Sequence, residues 1–202
     1  MEKTIEKNIL EFLNKNSDIM VFSSKDFLEI TNSEVVRVTL NRMADKGIIK
    51  KIVSGFYYRP RYSEIIKEYE VVSPHHFAMA MARKYNWNIA PSGVAALNLL
   101  GLSQQVPAKW SYISDGIYKK VKIGNIYVEF KKKNNREISG MSYKTALVIQ
   151  AIKEFGKGKV DEITIEKIRA ALTEKELELL LEESKSSWAW IYDVVKKIVG
   201  GN

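Results

Sequence analysis

The chain has 202 residues, a formal net charge of +8 at pH 7 and no cysteine. Its hydrophobic fraction of 46% and charged fraction of 28% are ordinary for a globular protein and exclude disordered and collagen-like classes. Without cysteine there is no disulfide, thiolate metal site or cysteine nucleophile, and the positive charge favours a polyanionic partner.

The sequence lacks the features of a membrane or exported protein. No apolar run approaches the roughly 20 residues that span a bilayer, and the N-terminus has no apolar signal-peptide segment. We therefore expect a cytoplasmic protein with no membrane partner. No glycine-rich phosphate loop is present, and we expect no cofactor.

Three helices are predicted in the first 46 residues. Apolar residues at helical spacing predict an amphipathic helix over residues 2–15. Ser23, three residues before an aspartate, predicts the start of a second, short helix. Thr31 with Glu34 repeats that capping pattern and predicts a third helix, which Gly47 ends.

A basic hairpin follows the third helix. The segment IIKKIVS, residues 48–54, predicts one strand, Ser54 and Gly55 the turn, and FYYRP the returning strand. Three helices followed by a hairpin are the elements of a winged helix-turn-helix in their usual order. We therefore predict a DNA-binding domain over residues 1–62. We call residues 48–61 the wing.

The outer face of the third helix and the wing carry the candidate site. Helical spacing turns Val36, Leu40, Met43 and Ala44 inward. The candidate DNA-binding residues are Arg37, Val38, Asn41, Arg42, Lys46, Lys50, Lys51, Arg59 and Arg61. Arginine pairs with guanine, asparagine with adenine, and an apolar side chain with the thymine methyl group.

We assign these residues roles in DNA binding as a hypothesis. Arg37 and Asn41 contact bases, Arg42 and Lys46 bind the backbone, and the basic residues of the wing lie along the minor groove or flanking phosphates. The alternative is a solvated helix face with a stray valine, which the position after a capped turn and before a basic hairpin disfavours.

Residues 63–202 predict a mixed α/β domain. Ser73 and Pro74 predict the start of one helix, and Ser92 the cap of another. A small sheet is expected between about residues 105 and 131, with a Gly124-Asn125 hairpin turn. Helices then follow to the C-terminal end, so the fold class is α+β.

Residues 20–132 resemble a known family in three segments. These are VFSSKDFLEITNSEVVRVTLNRMADKGIIKKIVSGFYYRP, then NIAPSGVAALNLLGLSQQVPAKWSYISDG, and VKIGNIYVEFKK. Together they resemble the AbiEi-type antitoxins of type IV toxin-antitoxin, or abortive infection, systems. The resemblance implies a winged-helix repressor of its own operon that binds operator DNA. It also implies that the second domain counteracts a nucleotidyltransferase-type toxin without requiring a stable complex.

Other functions remain open. One is a stand-alone winged-helix transcription regulator whose second domain binds a ligand or dimerises. Another is a nuclease of the PD-(D/E)xK kind that uses Asp115, Glu129 and Lys131 with Mg²⁺. For Glu129 and Lys131 we prefer a simpler interpretation. They lie on the outward side of a half-exposed strand whose Ile126, Val128 and Phe130 point inward.

Three further patterns carry weaker hypotheses. Ser92 with His75 or His76 and Asp115 has the residue types of a hydrolase triad but lacks the G-x-S-x-G spacing. The basic cluster KKKNNR, residues 131–136, is a solvated loop or a second nucleic-acid contact. The C-terminal stripe of Trp188, Trp190, Ile191, Val195 and Ile198 predicts core packing, and it also allows a homodimer interface.

Overall fold

The computed structural model describes residues 2–65, 67–69, 72–133, 138 and 140–200. The described residues form an α+β structure with small sheets and a helical C-terminal end, as predicted. The chain divides into two compact units, residues 1–87 and 88–202. No described helix has the length and apolar character needed to cross a membrane.

The first unit contains the predicted order of helices and hairpin. Its elements are α1 (Glu2–Lys15), β1 (Val21–Phe22), a 3-10 helix (Ser24–Phe27), α2 (Ser33–Asp45), β2 (Lys50–Val53), β3 (Phe56–Tyr58), β4 (Tyr62–Ser63), β5 (Glu68–Tyr69) and α3 (Pro74–Tyr85). β1, β3 and β2 form an antiparallel sheet in that order, and β4 pairs with β5. The predicted second helix is thus a single 3-10 turn, and β1 is an additional strand beside the wing.

Side-chain caps fix where the helices begin. Ser23 and Asp26 form the predicted capping box, and Ser73 caps α3 with Pro74 in its first turn. The prediction of Thr31 as the cap of α2 is wrong. Asn32 takes that place because its Oδ1 accepts from the amide of Val35 at 3.0 Å, which fixes the helix start one residue later.

β3 has buried side chains on both faces of the sheet of the first unit. Phe22 and Tyr57 pack with α1 and α2 in one core. On the other side Phe56 makes an edge contact with Phe77 of α3, with ring centroids 5.1 Å apart. α3 therefore belongs to this unit, and the domain boundary predicted at residues 62 and 63 lies inside it.

The second unit combines a four-stranded sheet with helices. Its elements are β6 (Ile89–Ser92), α4 (Val94–Leu99), β7 (Lys109–Ser114), β8 (Lys119–Ile123), β9 (Ile126–Lys132), α5 (Tyr143–Phe155), α6 (Glu162–Ala170), α7 (Glu174–Glu183) and α8 (Ala189–Val199). The strand order is β6-β7-β9-β8, with β7 and β9 parallel and the other pairs antiparallel. The Gly124-Asn125 turn joins β8 and β9, as predicted.

Two predictions of local structure in this unit are wrong. Ser92 ends β6, and Gly93 occupies the N-cap position of α4, since the chain stays extended one residue further than the capping pattern indicates. Trp188 is 58% exposed although a core position was expected for it. It precedes α8, and the ammonium group of Lys153 lies 4.8 Å from its ring centroid. Ile191, Val195 and Ile198 are buried as predicted.

Candidate nucleic-acid interface

α2 has the inward and outward faces that its sequence predicts. Val36, Leu40 and Met43 are fully buried, while Ala44 is only half-buried. Thr39 completes the inward face and satisfies its hydroxyl by donating to the carbonyl of Val35 at 2.9 Å. The outward face exposes Arg37, Val38, Asn41 and Arg42.

The dimensions of α2 suit the major groove of DNA. Thirteen residues give a length of about 20 Å at about 1.5 Å per residue, and the groove is about 12 Å wide. At about 100° per residue, Asn41 and Val38 lie near the middle of the outward face, with Arg37 and Arg42 on its two edges. The 40% exposure of Val38 provides an apolar contact at the centre of that face.

A hydrogen bond from the wing orients Asn41. The hydroxyl of Tyr57, on β3, donates to Oδ1 of Asn41 at 2.7 Å. Tyr57 is 2% exposed, and burial raises the pKa of its hydroxyl, so the donor keeps its proton at neutral pH. Because Oδ1 receives this bond, the amide is oriented with its Nδ2 hydrogens as donors and a second lone pair of Oδ1 as acceptor.

Arg37 and Lys46 each have a carboxylate partner within the first unit. Arg37 lies 3.8 Å from Glu34, and both side chains are largely exposed. Such pairs contribute about 0–1 kcal/mol, so Arg37 can exchange Glu34 for another acceptor at little cost. Lys46 contacts Glu6 of α1 at 2.8 Å, and Glu6 is only 23% exposed. The charge of Lys46 is therefore more strongly compensated than that of Arg37.

Strand register separates Lys50 from Lys51. Lys51 lies opposite Tyr57 and Lys50 opposite Tyr58. Residues directly opposite each other in a sheet share a face, so Lys51 lies on the same face as Tyr57, whose hydroxyl reaches α2. Lys50 lies on the other face, where its ammonium group is 5.9 Å from the ring centroid of Tyr69. Lys51 is thus the better placed of the two to act beside α2.

Arg59 and Arg61 line a cleft at the end of α1. The guanidinium of Arg59 donates to Oδ1 of Asn14 at 2.7 Å, and that of Arg61 donates to the carbonyl of Ser17 at 2.9 Å. The open cleft has a volume of about 460 Å³, and its other lining residues are Leu13, Pro60 and Tyr62. Each guanidinium has further N–H groups beyond these single bonds, the donors that phosphate takes.

Of the hypothetical nuclease site, Glu129 and Lys131 lie together, at 3.7 Å, but Asp115 does not join them. Ser111 of β7 lies directly opposite Glu129, and Asp115 follows four residues later, about 13 Å further along the strand direction. Both carboxylate oxygens of Asp115 accept from Asn88, at 2.9 and 2.8 Å. One Mg²⁺ with bonds of about 2.1 Å does not bridge that separation.

Glu129 is instead surrounded by donors. It contacts the ammonium of Lys109 at 2.8 Å and the hydroxyl of Tyr118 at 2.9 Å. The hydrogen bond from Lys109 holds its pKa below the ordinary value, against the effect of burial. Within the part of the chain that the structure describes, no three acidic, histidine or cysteine side chains form a metal-binding group.

The remaining candidates lie on elements other than α2. His75 and His76 lie in the first turn of α3, and burial lowers the pKa of His75 to about 4. Ser92 lies in β6. Of the basic cluster 131–136, the first two lysines end β9 and Lys133 follows it, while residues 134–136 lie outside the described residues.

Sequence reasoning missed the partners of the candidate residues. Tyr57, Glu6 and Asn14 belong to no local pattern that marks them as partners of α2 or the wing. Alternation in β3 places Tyr57 inward, but the contact with Asn41 depends on how the sheet packs on α2. The contacts of Glu6 and Asn14 span 40 and 45 residues and have no local signal.

Comparison with known proteins identifies one family. Residues 8–180 match the model of a family of unknown function, DUF6088. No curated protein matches the chain.

Proposed function

The chain belongs to the DUF6088 family of unknown function, and we propose that it is a winged-helix repressor that binds operator DNA of its own operon. We further propose that it acts as the antitoxin of a type IV toxin-antitoxin system and counteracts a nucleotidyltransferase-type toxin.

The DNA-binding part of this proposal is supported by the outward face of α2. Asn41 lies between two exposed arginines and is oriented by Tyr57, so a bidentate contact with adenine needs little further ordering. Arg37 and Arg42 bind guanine or phosphate on either side. Lys51 and the Arg59–Arg61 cleft add phosphate contacts beside the helix.

The antitoxin part of the proposal is supported by the resemblance of residues 20–132 to AbiEi-type antitoxins. That resemblance includes β6, α4 and the β8-β9 hairpin of the second unit as well as the winged helix. Toxin antagonism is accordingly assigned to the second unit, separate from the DNA-binding residues.

Full-length variants test whether the two activities are separate. A reporter gene under the promoter upstream of this gene measures repression, and co-expression with the product of the downstream gene measures rescue of growth. We expect the double variant Arg37→Ala/Asn41→Ala to lose repression and to keep rescue. Glu166→Ala on α6, an exposed change in the second unit, serves as the control that keeps both.

Each result has a distinct meaning. Loss of repression with retained rescue supports both parts of the proposal. Repression without any toxic downstream product contradicts the antitoxin part and favours a stand-alone regulator. Repression that persists in the double variant contradicts the assignment of DNA binding to α2.

A further inference from the structure

The two faces of the sheet of the second unit differ in burial. One face of β7 and β9 buries Trp110, Tyr112, Val128 and Phe130, and Tyr112 stacks on Phe130 with ring centroids 5.7 Å apart. On the opposite face Glu129 is buried, and so is Ile113, which packs with Ala90 and Ala146. The opposite face of β7, β9 and β8 exposes Lys109, Lys120, Lys122, Tyr127 and Lys131. We call these five residues the lysine face.

Strand register brings the lysine face together around Tyr127. Lys122 and Lys109 are the direct neighbours of Tyr127 on the two flanking strands. Lys120 lies opposite Glu129, one row further along, and Lys131 lies two residues beyond Glu129 on β9. The ammonium groups of Lys120 and Lys122 lie within about 6 Å of the centroid of the Tyr127 ring. Those of Lys109 and Lys131 lie beside the neighbouring Glu129.

The lysine face has a large excess of positive charge. Glu129 is the one carboxylate in these three strands, and it is only 7% exposed because Lys109 and Tyr118 cover it. It compensates the charge of Lys109 at 2.8 Å and lies 3.7 Å from Lys131. Lys120 lies opposite Glu129 and Lys122 opposite Tyr127, and neither has a carboxylate beside it on β8. Four lysines thus share one carboxylate, and the face keeps a net positive charge.

Tyr127 provides a surface for stacking. Its side chain is 38% exposed, and the ammonium groups of Lys120 and Lys122 lie 4.3 and 5.8 Å from its ring centroid. An exposed cation–π contact contributes about 0.5–1 kcal/mol, whereas a nucleic-acid base on an aromatic side chain contributes about 1–3 kcal/mol. A base therefore displaces Lys120 from the ring favourably and frees its ammonium for phosphate.

We propose that the lysine face binds a single-stranded nucleic acid, with a base stacked on Tyr127 and phosphates on the surrounding lysines. Unpaired bases lie readily on the aromatic side chains of a sheet, whereas the bases of a duplex are stacked on each other and are not free to stack on Tyr127. This site is separate from α2 and does not depend on its binding of duplex DNA.

The test measures binding of a fluorescent 12-nucleotide oligouridine and the matching oligothymidine to the full-length protein by anisotropy. Lys120→Gln/Lys122→Gln is expected to weaken binding about tenfold. It should also reduce the slope of log K against log salt by about 1.4, at about 0.7 per lost phosphate contact. Tyr127→Leu is expected to weaken binding at least fivefold with an unchanged slope, at about 1 kcal/mol or more for a lost stacking contact.

Matched variants distinguish this site from others in the chain. Lys157→Gln/Lys159→Gln removes the same charge from an exposed loop between α5 and α6, and Arg37→Ala alters α2. Both should bind oligouridine as the wild type does. Retained strand binding in Arg37→Ala supports the lysine face even if duplex binding by α2 fails its own test.

Three results would overturn the proposal. The first is equal loss of binding in the Lys157/Lys159 variant and the Lys120/Lys122 variant, which would indicate unspecific charge attraction. The second is wild-type strand binding by Tyr127→Leu. The third is that poly-aspartate binds as tightly as the oligonucleotides and that Tyr127→Leu does not change its binding. This result would assign the face to an acidic protein partner.

Discussion

The bond from Tyr57 to Asn41 allows a change in DNA recognition without a change in charge. Tyr57→Phe removes one hydroxyl that is 2.7 Å from Oδ1 of Asn41 and leaves the ring in the core. Loss of a net hydrogen bond should lower the free energy of unfolding by about 1 kcal/mol. The protein should therefore remain folded and open to binding measurements.

A second expected effect is on sequence choice. Without the hydroxyl, Asn41 samples several orientations, and ordering one such side chain on binding costs about 0.5–1.5 kcal/mol. We expect affinity for operator DNA to fall about 2- to 12-fold on that basis. Affinity for unrelated duplex and the salt dependence should stay as in the wild type, because phosphate contacts are unaffected.

Fluorescence anisotropy with operator and unrelated duplexes measures both quantities. Tyr58→Phe is the matched control, since it makes the same chemical change on the next residue of β3. In a double-mutant cycle, Tyr57→Phe should have no further effect once Asn41→Ala is present. Unchanged operator affinity in Tyr57→Phe, or an equal loss for both duplexes, would refute the role of this bond.

Three other predictions concern the first unit. Glu6→Gln should raise duplex affinity about threefold and steepen the salt slope by about 0.9, because it releases Lys46 for phosphate. Arg59→Ala and Arg61→Ala should each weaken operator and unrelated duplexes alike and reduce that slope by about 0.9. The pKa of His75 is 6.5 in the unfolded chain and about 4 in the folded protein. As the pH falls, protons therefore bind the unfolded chain first. The free energy of unfolding should thus fall by about 1 kcal/mol from pH 7 to 5.5, and this fall should be absent in His75→Gln.

Controls on the same elements accompany these variants. Glu11→Gln removes an exposed carboxylate of α1 that lies 3.7 Å from Lys7 and should leave DNA binding unchanged. A similar gain in affinity for Glu11→Gln would show that the gain in Glu6→Gln reflects net charge alone. His76→Gln should retain most of the pH dependence, and an unchanged pH dependence in His75→Gln would contradict the burial argument.

Much of the fold was predictable because its signals are local. The apolar spacing of α1 and α2, the capping box at Ser23 and the glycine turns each act within a few residues of the chain. The inward face of α2 and the burial of Val128 and Phe130 in β9 followed from the same periodicities, whereas the burial of Glu129 did not. These patterns sufficed for the order of elements and for the outward face of α2.

What the sequence did not predict depends on contacts between distant segments. β1 is only two residues long, too short for a visible alternation, and it exists because β3 pairs with it. The compensation of Lys46 by Glu6 arises from packing of α1 on α2. Lys120 and Lys122 join Lys109 only because β7 and β9 are parallel neighbours, a pairing that no turn residue indicates.

Binding of duplex DNA from the upstream region by full-length protein, measured at two salt concentrations, tests the central claim most directly. The claim predicts that the wild type prefers this duplex to an unrelated one and that Asn41→Ala removes the preference while keeping the salt slope. It also predicts that Arg37→Ala lowers affinity for the upstream duplex. The same affinity of wild type and Asn41→Ala for both duplexes would contradict DNA recognition by α2.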